Sequence, residues 1–101
     1  MMTRITDLHQ ATLDEATFDA LFRDIAAFGQ DVEVVPRHSV RQQVGDATMT
    51  LAEASNALRN QSIRAVQLRY NHDGQRWCDT LVRTQHRWRL TRINLSEAAS
   101  V

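Results

Sequence analysis

The stretch Ile63–Leu95, IRAVQLRYNHDGQRWCDTLVRTQHRWRLTRINL, decides the fold that we predict for this chain. It contains both tryptophans, the only tyrosine, the only cysteine and seven of the twelve basic residues, all of which are arginines. Apolar and polar residues alternate through most of it, as is typical of half-buried β-strands. We predict an antiparallel meander with strands at residues 63–70, 75–83 and 87–95.

The Asp73-Gly74 dipeptide sets the register of this meander. Asp-Gly favours a two-residue type I′ turn, because both of its central positions need a positive φ. With a second turn around Gln85-His86, one face collects apolar residues and is predicted to face the core: Val66, Leu68, Tyr70, Trp77, Leu81, Trp88 and Leu90. The other face is mostly polar: Ala65, Gln67, Arg69, Cys78, Thr80, Val82, Arg89 and Thr91.

A long helix is predicted at residues 12–28. Thr12 and Glu15 have the spacing of a capping box, and Gly29 is predicted to end the helix in the left-handed conformation. The helix carries one apolar stripe that should cover the core face of the meander: Phe18, Leu21, Phe22, Ile25 and Phe28.

Three further segments complete the predicted elements. Residues 31–36 are predicted to form a strand that stops at Pro36, which favours an edge strand or a strand end. Apolar and polar residues alternate weakly along residues 37–44, a pattern compatible with a strand or an irregular crossing. A second, shorter helix is predicted at 50–60, where Thr50 and Glu53 form another capping box.

These elements predict a single α+β domain over residues 1–101. We expect a two-layer sandwich in which the helices pack on one face of a mainly antiparallel sheet that ends in the three-stranded C-terminal meander. No apolar run has the roughly 18 residues needed to span a bilayer. The first residues have no apolar core of a signal peptide, and the single cysteine, Cys78, excludes an intrachain disulfide. A cytoplasmic protein without a membrane partner is expected.

The net charge is zero but unevenly distributed. Residues 1–53 hold nine acids and four arginines, whereas residues 54–101 hold three acids and eight arginines. This asymmetry indicates either attraction between the halves, within one fold or across a dimer, or a basic surface for an anionic partner.

The register places Asp79 opposite Arg92 on the otherwise apolar face. A carboxylate there needs a partner, and a cross-strand arginine supplies one. One hypothesis is a structural ion pair that fixes the strand register. The other is a ligand-binding pocket of Asp79, Arg92, Tyr70 and Trp77, in which Asp79 orients a ligand or acts as a base and Arg92 holds an anionic group.

The sequence favours neither a metal site nor a nucleophilic catalyst. The histidines lack the short spacing of zinc sites, and a site built from His72, Cys78 and His86 would need residues from opposite ends of the meander. No histidine base is in register with Cys78. No catalytic residue, cofactor or metal is therefore predicted. Single-stranded nucleic acid is a less favoured partner, because the aromatics and most arginines fall on different faces.

The run DGQRWCDTLVRTQHRWRLTRI, residues 73–93, resembles the closing hairpin of nuclear transport factor 2-like cone folds. The matching pieces are Trp77, Asp79 and the Arg87-Trp88-Arg89-Leu90 segment. The resemblance implies a small-molecule-binding or enzymatic pocket around Asp79 and Arg92. The chain departs from the cone pattern at residues 50–60, where a helix stands in place of further strands.

Two functional expectations from different classes follow. The first is a non-enzymatic accessory or interaction protein that acts through protein–protein contacts, with another protein or as a homodimer, through the second face or an edge of the sheet. The second is a small-molecule binder or enzyme of the cone type. Weak binding of single-stranded nucleic acid by the arginine-rich meander is a third alternative.

Overall fold

The computed structural model describes residues 9–37 and 49–98. The elements follow one another as β1 (His9–Leu13), α1 (Glu15–Phe28), β2 (Gln30–Arg37), α2 (Leu51–Arg59), β3 (Ala65–His72), β4 (Gln75–Arg83), β5 (Trp88–Asn94) and a short α3 (Leu95–Ala98). The strands form one antiparallel sheet in the order β1-β5-β4-β3-β2. Among the described helices, none is long and apolar enough to cross a membrane.

Helices α1 and α2 pack on one face of this sheet and bury a shared apolar core. The core joins the two helices to the sheet through these buried residues: Leu13, Phe18, Leu21, Phe22, Ile25, Ala54, Ala57, Leu58, Ile63, Val66, Leu68, Tyr70, Trp77, Leu81, Trp88 and Leu90. The predicted α+β sandwich, with helices on one face and a C-terminal meander, is confirmed.

The register predicted from Asp73-Gly74 is also confirmed. Asp73 and Gly74 have φ values of 56° and 74°, as a type I′ turn requires. Tyr70 lies opposite Trp77, and Asp79 lies opposite Arg92. The first and third strands of the meander differ slightly from their predicted bounds. Strand β3 starts at Ala65 rather than at residue 63 and continues to His72, next to the turn. Similarly, β5 begins one residue late and ends one residue early.

The predicted start of the first helix at Thr12 is wrong. Thr12 belongs to β1, a strand that the sequence analysis did not predict, and it pairs with Arg89 of β5. The helix begins after Asp14, whose carboxylate accepts a hydrogen bond of 2.9 Å from the Thr17 amide. Aspartate and threonine are similarly good N-caps, and pairing with β5 satisfies the backbone of residues 9–13 while burying Leu13.

The left-handed C-cap predicted at Gly29 is wrong as well. Gly29 has an extended backbone with φ −77° and ψ 146°, because the chain passes directly from α1 into β2. Glycine is needed there for a different reason: a Cβ atom would lie 2.7 Å from the carbonyl oxygen of Ile25. The positive φ of 51° occurs two residues later, at Asp31, where the pairing of β2 with β3 shifts register.

The apolar stripe of α1 is buried except for its last member. Phe18, Leu21, Phe22 and Ile25 face the sheet, whereas Phe28 is 57% exposed at the end of the helix. Strand β2 does not stop at Pro36, which pairs with Val66 within an edge strand. The second capping box, from Thr50 to Glu53, is present as predicted. The prediction of a strand or an irregular crossing at residues 37–44 lies, apart from its first residue, outside the described residues.

Candidate functional site

A buried polar cluster of Tyr70, Asp79 and Arg92 lies in the middle of the core face. Asp79 and Arg92 project from neighbouring positions of β4 and β5, and Tyr70 comes from β3. Arg92 donates from Nε to Oδ1 of Asp79 at 2.7 Å and from Nη2 to Oδ2 at 2.6 Å. The Tyr70 hydroxyl donates to Oδ2 at 2.9 Å. This is a bidentate ion pair with a third hydrogen bond on the same carboxylate.

The surroundings of the polar cluster shift the ionisation of its members. Burial and then the charge of Asp79 raise the pKa of Tyr70 well above its usual range, so its hydroxyl remains a donor. Burial alone would lower the pKa of Arg92, but the hydrogen bonds and the charge of Asp79 outweigh that effect and raise the pKa. Asp79 therefore holds Arg92 in its charged form.

The four residues predicted to bind a ligand are brought together but are shielded from solvent. Asp79 is 0% exposed, Tyr70 1%, Arg92 3% and Trp77 8%. Trp77 donates its indole N–H to the carbonyl of His72 at 3.3 Å. The register predicted from the sequence locates the Asp79–Arg92 pair, whereas it places Tyr70 only near the pair and does not indicate its hydrogen bond. Ligand binding by these residues stays a prediction.

Tyr70→Phe tests how the polar cluster contributes to stability. We expect it to lower the free energy of unfolding by about 1.5–3 kcal/mol, because a hydrogen bond to a charged group is lost. The wild type should also lose stability above about pH 10, by about 1.4 kcal/mol per pH unit, because the unfolded tyrosine ionises there while the buried one keeps its proton. Below that pH the contribution of Tyr70 is fully present.

Urea unfolding between pH 7 and 11 measures both effects. Tyr70 is the only tyrosine, so tyrosinate absorbance reports on it alone. The Tyr70→Phe variant should lack the component of the alkaline loss that belongs to this hydroxyl. Parallel stability curves for the two proteins above pH 10 would contradict the burial and bonding of Tyr70.

A separate depression of about 440 Å³ lies at the C-terminal end of β4, beside Arg83. It is lined by Gln61, Ile63, Arg64, Arg83, Thr84 and Gln85. Arg83 is already engaged there, because its guanidinium donates to the carbonyls of Leu58 and Arg59 and stacks over Trp88. The depression includes none of the residues predicted to bind a ligand.

The second candidate site is the sheet face opposite the helices, which we call the open face. Strand pairing arranges most of its side chains in three rows across the sheet, and Asn71 and Arg76 lie beyond the third row. The rows are Thr12, Arg89, Val82, Ala65 and Arg37; then Gln10, Thr91, Thr80, Gln67 and Val35; then Ile93, Cys78, Arg69 and Glu33. All eight residues predicted for the polar face lie on it, and β1 and β2, whose pairing partners the sequence did not indicate, widen it.

The open face has an uncharged centre and charges towards its margins. Its middle row has only amides, hydroxyls and one valine, and these groups partly bond to each other, as from Gln67 to Thr80 at 3.5 Å. Val82 and Ile93 are each 38% exposed on this face, which leaves apolar surface in contact with solvent. Exposed apolar groups within a polar rim are a feature of protein interaction surfaces.

Four arginines and one glutamate carry most of the charge of the open face: Arg37, Arg69, Arg76, Arg89 and Glu33. Arg37 donates to Gln67 at 2.8 Å, whereas Glu33 pairs with Arg76 at 3.1 Å. The Arg69 Nε is buried and has no acceptor. Cys78 is a free and buried thiol among these residues.

The aromatic residues of the meander lie on the core face, away from Arg69 and Arg89. Tyr70, Trp77 and Trp88 are all buried, so they form no stacking platform beside the arginines of the open face. Nucleic-acid binding stays a prediction, without support from the position of the aromatic rings. Within residues 9–37 and 49–98, no group of three or more His, Cys, Asp or Glu residues could hold a metal ion.

Comparisons with known protein families, curated proteins and solved structures find no match to this chain.

Proposed function

We propose that this protein is a non-enzymatic interaction protein and that it forms a homodimer through its open face. The observation that carries the proposal is the contrast between the two faces of the sheet. On the core face, Arg92 and Tyr70 together engage both oxygens of the buried Asp79 carboxylate. The open face instead presents an uncharged centre with exposed Val82 and Ile93. A reducing, cytoplasmic setting, in which Cys78 remains a thiol, is part of this proposal.

The size of the open face sets the expected strength of the dimer. Five strands spaced about 4.8 Å apart and five residues per strand give a projected area of roughly 400 Å². Interfaces at this end of the size range are weak or transient. We therefore expect a reversible dimer with a dissociation constant on the order of micromolar.

A charge in the middle of the open face should abolish the dimer. Thr80 lies at the centre of the middle row and is partly exposed. In Thr80→Arg, two guanidinium groups would be brought into the desolvated centre of the interface without acceptors, which is costly. Sedimentation velocity at protein concentrations from about 1 to 500 μM, which bracket a micromolar dissociation constant, should show a dimer for the wild type and a monomer for the variant.

The matched control is Ala26→Arg, which adds the same charge on an exposed position of α1, in the layer opposite the open face. It should dimerise as the wild type does. A wild-type protein that stays monomeric through this range would refute the proposal, as would a Thr80→Arg variant that dimerises normally. Thermal unfolding of both variants verifies that they are folded.

A further inference from the structure

We infer that two copies of the open face pack with their two-fold axis along the middle row, across the strands, so that Arg37 of each copy meets Glu33 of the other. This inference rests on the proposed dimer and assigns its geometry. It follows from the strand register, which fixes where each charge lies relative to that row. The occupant of the open face is thus a second copy of this chain.

The residues on the middle row suit a two-fold axis. A residue on such an axis faces its own copy, so it must be complementary to itself. Hydroxyl and amide groups meet this condition because each both donates and accepts, and valine meets it by apolar contact. The five residues of the row are all of these types: Gln10, Thr91, Thr80, Gln67 and Val35.

Two of the three charges of β2 are placed symmetrically about the same row. Arg37 and Glu33 lie two residues to either side of Val35, on the same strand and the same face. Rotation by 180° about the row exchanges the two positions, so each arginine is placed over the glutamate of the other copy. Packed sheets lie about 10 Å apart, a gap that an arginine and a glutamate side chain can bridge.

Arg37 and Glu33 can each form further hydrogen bonds beyond those within one copy of the chain. Arg37 uses Nη2 for Gln67, and a guanidinium has further donors. Glu33 is 59% exposed and uses Oε1 for Arg76, and a carboxylate accepts several hydrogen bonds. Arg89 and Arg69 do not meet each other under this rotation, because Arg89 is placed over Ile93 and Arg69 over Ala65.

The alternative axis that keeps the strands aligned runs along β4. It would place Arg37 over Thr12 and Arg69 over Ile93, with no pair of opposite charges among the described residues. Electrostatic complementarity fixes the register of an interface. It therefore favours the axis across the strands, with each strand covering the same strand of the partner in the opposite direction.

Charge reversal tests the assigned contacts. Glu33→Arg and Arg37→Glu should each weaken the dimer at least tenfold, because each places like charges together at both contacts. The double variant Glu33→Arg/Arg37→Glu restores opposite charges and should dimerise within about threefold of the wild type, by the same pairing rule. Dissociation constants come from sedimentation equilibrium, with Arg23→Glu on the exposed face of α1 as the control.

Mixing the two single variants provides a second test. In the heterodimer, the copy with two positive side chains at positions 33 and 37 meets the copy with two negative ones, so both contacts are attractive. Equimolar mixing should therefore give dimers at concentrations where each variant alone is monomeric. A further outcome is that the wild type dimerises while neither the mixture nor the double variant recovers dimerisation. In that outcome the assigned axis is wrong and the proposed dimer stands. A wild-type protein that never dimerises overturns both.

Discussion

Asp79→Ala is expected to lower the free energy of unfolding by about 3–5 kcal/mol, which is the usual effect of removing one partner of a buried ion pair. Arg92 is 3% exposed and directs both of its contacts with Asp79 into the core, so it would be left as an unpaired buried charge. Tyr70 would lose its acceptor at the same time. Because domains of this size have about 5–15 kcal/mol in total, a large fraction of the stability would be lost.

Urea unfolding followed by tryptophan fluorescence measures this loss. Asp73→Asn removes a carboxylate from an exposed turn residue and should change stability by less than about 0.5 kcal/mol. The triple variant Tyr70→Phe/Asp79→Leu/Arg92→Met removes both charges and the hydroxyl that would lose its acceptor, and it should recover most of the loss, since apolar replacement of a buried pair is often neutral.

The same measurement separates the two hypotheses for the polar cluster. A structural pair costs stability when it is broken. Residues kept for ligand binding at the expense of packing often allow substitutions that are neutral or stabilising. A loss below about 1 kcal/mol in Asp79→Ala would therefore contradict the structural role and favour the ligand-binding hypothesis.

Phe18→Ala should destabilise the protein by about 3–5 kcal/mol, as is usual when a large buried aromatic side chain is truncated. Phe18 is 0% exposed. Its ring stacks on Trp88 with centroids 4.0 Å apart and meets Phe22 at 4.9 Å. The guanidinium of Arg59 lies 5.2 Å from the Phe18 ring, so the substitution also removes a contact between α1 and α2.

The same helix supplies a matched control. Phe28→Ala makes the same chemical change at a position that is 57% exposed, so it should alter stability by less than about 0.5 kcal/mol. Thermal or urea unfolding of the two variants compares them directly. Equal losses in both would mean that α1 packs on the sheet with a different face from the one described.

The meander could be predicted because its information is local. Asp73-Gly74 fixes a turn type, the turn type fixes the register, and the register places Asp79 against Arg92. The second capping box is equally local. The first helix start failed because Thr12 satisfies a local capping pattern while a distant strand, β5, competes for the same backbone. Long-range pairing overrides local preference in such cases.

The two candidate sites differ in the same way, because one depends on local sequence spacing and the other on long-range strand pairing. The Asp79–Arg92 pair lies within one meander, so sequence spacing located it. The full open face needs β1 and β2, whose pairing partners no local pattern indicates. The hydrogen bond from Tyr70 to Asp79 depends on side-chain direction within the core, which the register constrains to a face but not to a contact.

The position of β1 beside β5 has a consequence for how the chain folds. The residues of β1 are synthesised before the other strands of the sheet, yet their pairing partners, such as Arg92 for His9, come about eighty residues later, which gives a contact of very high sequence separation. The meander, by contrast, needs only neighbouring segments. During translation, α1 thus leaves the ribosome long before β5, the strand on which β1 closes the sheet and whose Trp88 stacks on Phe18 of α1.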